Sequence, residues 1–222
     1  MEIVRKVLLS THVTAGCISL ILFWLPIIVK KGSLIHIKIG KAYIYSMWIV
    51  VFSAIILCFI NLYNGLIIMG LFLGFLALIT SKPLWNGIAV FKLKKGITEN
   101  YRNKLLVFQT ITVAYSLFLI SYGIYLGGEG VAILMFFFGT LGILDLPQLI
   151  KSIKTPIEKA NLMKEHIGGM CISGIAAYTA FLSFGARDYL STVFNGPFAV
   201  LPWVLPTIIG LIGIKIASKK YA

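Results

Sequence analysis

The sequence predicts an all-α protein: an integral membrane bundle of seven transmembrane helices, forming a single domain over residues 1–222. Three observations carry this prediction. Hydrophobic residues make up 59% of the chain and charged residues only 12%, more apolar side chain than a soluble fold can cover. Seven apolar runs are each long enough for the roughly 20 residues that a helix needs to cross a bilayer core. Lys and Arg gather in alternate connections between those runs.

The same composition excludes other classes. A disordered chain lacks this much apolar surface. Three cysteines, an odd number in a long chain, do not make a disulfide scaffold. The net charge of +13 would suggest nucleic acid in a soluble protein. Here the basic residues sit in short clusters between apolar runs, so they read as topology signals and contacts to anionic headgroups. The expected partners are the lipid bilayer and a second copy or another membrane subunit, and not nucleic acid.

The first span covers approximately 7–29. Met1–Lys6 followed by an apolar run resembles a signal peptide, but the run is broken by Ser10, Thr11 and His12 and continues past Cys17, which favours an uncleaved helix. His12 shares a small, polar stripe with Ala15, Gly16 and Ser19, a face suited to close helix packing. Two readings of His12 stand: a hydrogen-bonded packing residue, or a proton or ligand site. A basic loop from Lys31 to Lys41 follows and contains His36, leading into the interfacial aromatics Tyr43, Tyr45 and Trp48.

The second and third spans cover 42–62 and 65–91. The third carries Gly70-x3-Gly74, a close-packing motif, and Lys82-Pro83, where Lys82 snorkels towards an interface and Pro83 kinks the helix. The fourth span covers 105–126 and the fifth 131–150, with Asp145 followed by Leu146 and Pro147. The sixth, 166–186, opens with Glu165-His166 and places Gly169, Met170 and Ser173 on the face of His166. Asp145 and His166 therefore lie at similar depth on consecutive spans. Asp145 either pairs structurally with Lys82 at the same level, or joins His166 and Lys82 in a proton or substrate site. The seventh span, 197–217, carries Pro202, Trp203 and Pro206 near its start. Cys17, Cys58 and Cys171 fall inside spans and read as inert small hydrophobes.

Of the 20 Lys and Arg residues, 17 fall on one side of this arrangement. They are Lys30, Lys31, Lys38 and Lys41; Lys82, Lys92, Lys94, Lys95, Arg102 and Lys104; Lys151, Lys154, Lys159 and Lys164; and Lys215, Lys219 and Lys220. Arg5, Lys6 and Arg187 are on the other side. The positive-inside rule then puts the N-terminus outside and the C-terminus in the cytoplasm.

The His12-x3-Gly16 helix, the Lys31-Gly32-x3-His36-x3-Gly40-x2-Tyr43 segment, and Asp145 followed by His166-x3-Met170 together resemble an uncharacterised family of bacterial membrane proteins, known as a domain of unknown function. The resemblance covers most of the chain through scattered single residues. It implies a bacterial inner-membrane location and supplies no reaction. The family pattern often has Arg after the loop histidine. This chain has Ile37, which weakens an anion-binding role for that loop.

No Walker, Rossmann, HExxH or CxxC pattern is present, and no Ser/His/Asp set shares one depth, so an enzyme is disfavoured. Two functional classes lead: a non-catalytic membrane component, and a small-solute or proton-coupled transporter using Asp145, His166, Lys82 and His12. The alternative is a haem- or metal-binding redox protein with His166 and His36 as ligands. The cofactor is left open.

Overall fold

The structure is a computed structural model that describes residues 2–93, 98–127, 131–154, 161–190 and 192–222. Lys94, Lys95 and Lys159 of the basic connections lie outside the described residues. Among the described residues the chain is helical, without strands.

Helix α1 is Glu2–Ile28, α2 Leu34–Tyr63 and α3 Ile67–Ala89, extended by a 3₁₀ turn over Val90–Leu93. Helix α4 is Glu99–Tyr125, α5 Val131–Ile143 and α6 Leu146–Lys154. Helix α7 is Leu162–Ala180, continued by a π turn over Phe181–Gly185, and α8 is the short Arg187–Leu190. A 3₁₀ turn over Gly196–Val200 leads into α9, Leu201–Tyr221. Seven of the resulting segments are long and apolar enough to cross a membrane, with α5 and α6 together supplying the fifth. Large side chains on the outside agree: Ile21 is 67% exposed and Phe59 66%, surface that suits lipid and not water.

Helices α1, α2, α4 and α7 begin earlier than hydropathy alone places them. Basic residues mark where apolarity ends, whereas caps mark where hydrogen bonding begins. Ser33 caps α2, accepting the N–H of His36 at 3.2 Å, after Gly32 turns the chain at φ +73°. His36 therefore stands in the first turn of α2 and not on a loop, a correction to the sequence reading. Thr98 caps α4 and Asn161 caps α7 in the same way.

The fifth span is broken where the prolyl ring dictates. Pro147 has no N–H to give the carbonyl of Ile143, and its ring clashes there; α5 ends at Ile143 and α6 restarts at Leu146. Helix α3, by contrast, runs through Pro83 as one continuous helix.

Helix α3 is central: it packs on α2, α4, α5 and α7, while α7 also meets α1 and α9. In lipid, helices associate through close packing, since tails are as apolar as leucine. Small residues set the crossings. A Cβ on Gly70 would sit 2.7 Å from the Leu62 side chain, and one on Gly74 would sit 3.0 Å from the Cys58 sulfur, so the Gly-x3-Gly motif seats α3 against α2. The α3–α7 crossing rests on Gly87 and Gly169: a Cβ on Gly169 would lie 2.7 Å from the Gly87 Cα. Phe72 and Phe75 of α3, Leu119 of α4 and Phe138 of α5 form the buried core on the opposite flank. Trp203 of α9 closes it, 5.4 Å from the Phe138 ring.

Candidate functional site

The break between α5 and α6 carries the first polar feature. Asp145 sits in the gap, its N–H bonded to the Gly142 carbonyl at 3.1 Å and its carbonyl taking the Leu149 N–H at 2.9 Å. Its carboxylate accepts a hydrogen bond from the Lys82 ammonium of α3, forming an ion pair. The two side chains are only 16% and 26% exposed, for Lys82 and Asp145 respectively. A lone charge at this depth is costly, and pairing is what makes it tolerable. A second ion pair joins Glu2 and Lys6 on exposed α1 surface.

Helix α4 adds a buried polar stripe that the hydropathy reading missed. Gln109, Thr112 and Ser116 lie at i, i+3 and i+7, each at most 1% exposed. Ser116 abuts Gly142, where an added Cβ would lie 3.2 Å from the serine Cβ. Running antiparallel from that contact, the register brings Gln109 and Thr112 level with Asp145 and the start of α6. Thr112 and Ser116 hydroxyls are satisfied by the carbonyls of Phe108 and Thr112 at 2.7 Å each. The Gln109 Oε1 and the Ser152 hydroxyl of α6 are buried without a hydrogen-bond partner. Polar residues at helical spacing inside an apolar run were the available signal.

The three histidines share one local geometry. His12 Nδ1 lies 3.1 Å from the Val50 carbonyl and 2.9 Å from the Ser53 hydroxyl of α2. His36 Nδ1 lies 3.1 Å from the Pro26 carbonyl of α1, and His166 Nδ1 lies 2.7 Å from the Gly87 carbonyl of α3. A carbonyl only accepts, so each ring donates from Nδ1, which in the neutral imidazole leaves the lone pair on Nε2. The Pro26 acceptor is also held by the Lys31 ammonium at 2.7 Å, where α1 ends. Phe91 packs on the His166 ring with centroids 4.7 Å apart. His12 stands towards the opposite end of the bundle. Of its predicted stripe, Ala15 and Ser19 are buried, whereas Gly16 faces open space.

Asp145 and His166 are not brought together. Lys82 and Gly87 are five residues apart on α3, about 140° around a 3.6-residue helix. Asp145 approaches one flank of α3 through Lys82, and His166 docks on another through the Gly87 carbonyl. Equal depth did not mean contact, because the central helix stands between them.

A third network links α3, α4 and α7 at the basic end, and sequence reasoning did not find it. The Asn86 amide donates to the Glu165 carboxylate at 2.7 Å, and the Tyr101 hydroxyl donates to the Asn86 carbonyl oxygen. Tyr101 stacks on Trp85 with centroids 5.3 Å apart. Elsewhere the Tyr43 hydroxyl meets the Ser173 hydroxyl at 2.8 Å, tying α2 to α7. Among the described residues, no three His, Cys, Asp or Glu side chains gather as a metal site.

The fold defines the class: a multi-pass, all-α membrane protein with ionisable residues inside its bundle. Compared with known proteins, the chain matches no family model, no curated protein and no solved structure. Its functional reading therefore stands on this geometry.

Proposed function

We propose that the protein is a small-solute or proton-coupled transporter of the bacterial inner membrane, with its basic end in the cytoplasm. The observation that carries this is the Lys82–Asp145 ion pair, placed at the break between α5 and α6. Interrupted helices inside a membrane bundle leave backbone and side-chain polar groups available to a passing ion or solute. Protonation of the Asp145 carboxylate frees the Lys82 ammonium and raises the charge of the pair by one, so the pair can take up a proton from one side and give it up to the other. The unpartnered oxygens of Gln109 and Ser152 supply acceptors on the neighbouring helices. The bacterial setting follows the resemblance to the uncharacterised family, and the orientation follows the partition of Lys and Arg.

The test is proton flux into liposomes containing a pH-sensitive dye, under an imposed gradient. Wild-type vesicles collapse the gradient faster than protein-free ones, and Asp145→Asn abolishes the difference. A folded Asp145→Asn variant that conducts like wild type sinks the proposal, as does a wild type no faster than empty vesicles. Either result leaves the non-catalytic membrane component as the reading to pursue.

One observation favours a second reading. His36 and His166 both donate Nδ1–H to backbone carbonyls, the arrangement that fixes an imidazole with Nε2 ready to ligate. Two such histidines at one end of a bundle would hold a haem iron through their Nε2 atoms, whereas a closed zinc site takes four ligands. Met170 shares the face of His166, so it cannot oppose it across an iron. An absorption spectrum of protein from haem-replete cells, oxidised and reduced, decides this. A Soret band lost in His36→Ala and His166→Ala supports the reading, and a colourless, metal-free protein ends it.

A further inference from the structure

We infer that the cleft between the end of α3 and the start of α4 is a binding site for a single phosphate group, borne by a lipid headgroup or by a free phosphate. The cleft has a volume of about 200 Å³. That is room for a phosphate with a few attached atoms. Its floor is apolar and rigid. Trp85 and Tyr101 stack nearly parallel, 21° apart, and Trp85 also lies 5.4 Å from the Phe108 ring. The Tyr101 hydroxyl is held by Asn86, which in turn holds Glu165. The floor is therefore in place before any ligand arrives.

The rim is cationic. Lys92 from the 3₁₀ turn and Lys104 from α4 line the cleft, and neither has a carboxylate partner among the described residues. Two other lysines at this end are engaged, Lys82 by Asp145 and Lys31 by the Pro26 and Ile27 carbonyls at 2.7 and 2.5 Å. Thr98 and Asn100 add polar groups from the opening turn of α4, where the Tyr101 N–H is already taken by the Thr98 hydroxyl. Glu99 is in that turn but does not line the cleft. Two uncompensated ammonium groups, a helix start and an aromatic floor at the end of a membrane bundle suit a phosphate with an apolar or glycerol neighbour. A general attraction of basic loops to anionic lipid needs no cleft; a saturable site of one phosphate per chain does.

The test uses the full chain in a neutral detergent. It is titrated with phosphatidylglycerol, phosphatidylcholine and inorganic phosphate, following the fluorescence lost in a Trp85→Phe control. Saturable binding of phosphatidylglycerol but not phosphatidylcholine identifies a headgroup. Saturable binding of inorganic phosphate that displaces the lipid identifies a free phosphate as the ligand. In either case Lys92→Gln/Lys104→Gln weakens binding on the order of thirtyfold, about fivefold per lysine. Lys151→Gln/Lys154→Gln, which removes the same charge from exposed α6, leaves it within about twofold by the same per-lysine reasoning. Helix content by circular dichroism checks that both doubles are folded. No saturable binding by either probe, or equal weakening in the α6 double, overturns the inference.

Discussion

Removing one member of the Lys82–Asp145 pair should cost more than removing both. Asp145→Leu leaves the Lys82 ammonium among α3, α4 and α5 with no counter-charge, and Lys82→Met leaves the carboxylate in the same condition. Breaking a fully buried pair costs about 3–5 kcal/mol. These side chains keep 16% and 26% of their exposure, so part of each charge can reach headgroups or water. A loss of about 2 kcal/mol for either single variant is the corresponding expectation. For a chain of this size that lowers the melting temperature by roughly 4–8 °C. The double variant Lys82→Met/Asp145→Leu removes both charges and keeps apolar bulk, so it should return to within about 1 kcal/mol of wild type. The assay is thermal melting of all four proteins in one detergent, read by tryptophan fluorescence, with the coupling taken from the double-mutant cycle. A double variant that melts as low as the sum of the singles would falsify the pairing as the reason Lys82 is tolerated inside the third span.

Three further outcomes follow from the packing and the caps. Gly169→Val places side-chain atoms against the Gly87 backbone, so it should destabilise by about 1–3 kcal/mol through overpacking, and a melting curve checks it. Gly168→Ala, one residue away and facing open space, should be silent in the same assay. Asn86→Ala leaves the Glu165 carboxylate and the Tyr101 hydroxyl without their amide, at about 1–3 kcal/mol for each group left unsatisfied, whereas Tyr101→Phe should cost only about 1 kcal/mol; comparing the two melts tests the order. Ser33→Ala removes the α2 cap at about 0.5–2 kcal/mol, and amide hydrogen exchange should show the change in the first turn around His36 and not at mid-helix.

Much of the candidate site was legible and some of it was not, for reasons that differ by residue. Asp145 and Lys82 stood out because ionisable residues are rare in apolar spans, and their mutual pairing was one of two readings open from depth alone. His36 was misplaced onto a loop because its lysine-rich setting hid the Ser33 cap. The glutamine of the α4 stripe was passed over because it carries no ionisable group, and one amide does not break a long apolar run. The Asn86 link between Glu165 and Tyr101 had no signal in spacing, since its members come from three helices.

The sequence by itself determined the seven spans and their basic connections. Each of these is local. A membrane helix satisfies its own backbone hydrogen bonds, so hydropathy suffices to define it, whereas α3 runs through Pro83 and the fifth span breaks before Pro147. Only the tertiary structure decided which side chains meet. Helix neighbours and their rotation are set by close contacts such as Gly87 against Gly169, and these carry no hydropathy signature. The histidines end on the carbonyls of Val50, Pro26 and Gly87, acceptors that every residue possesses and no sequence pattern distinguishes. That is why Asp145 and His166, equal in depth, were assigned their separate partners by the position of α3 between them.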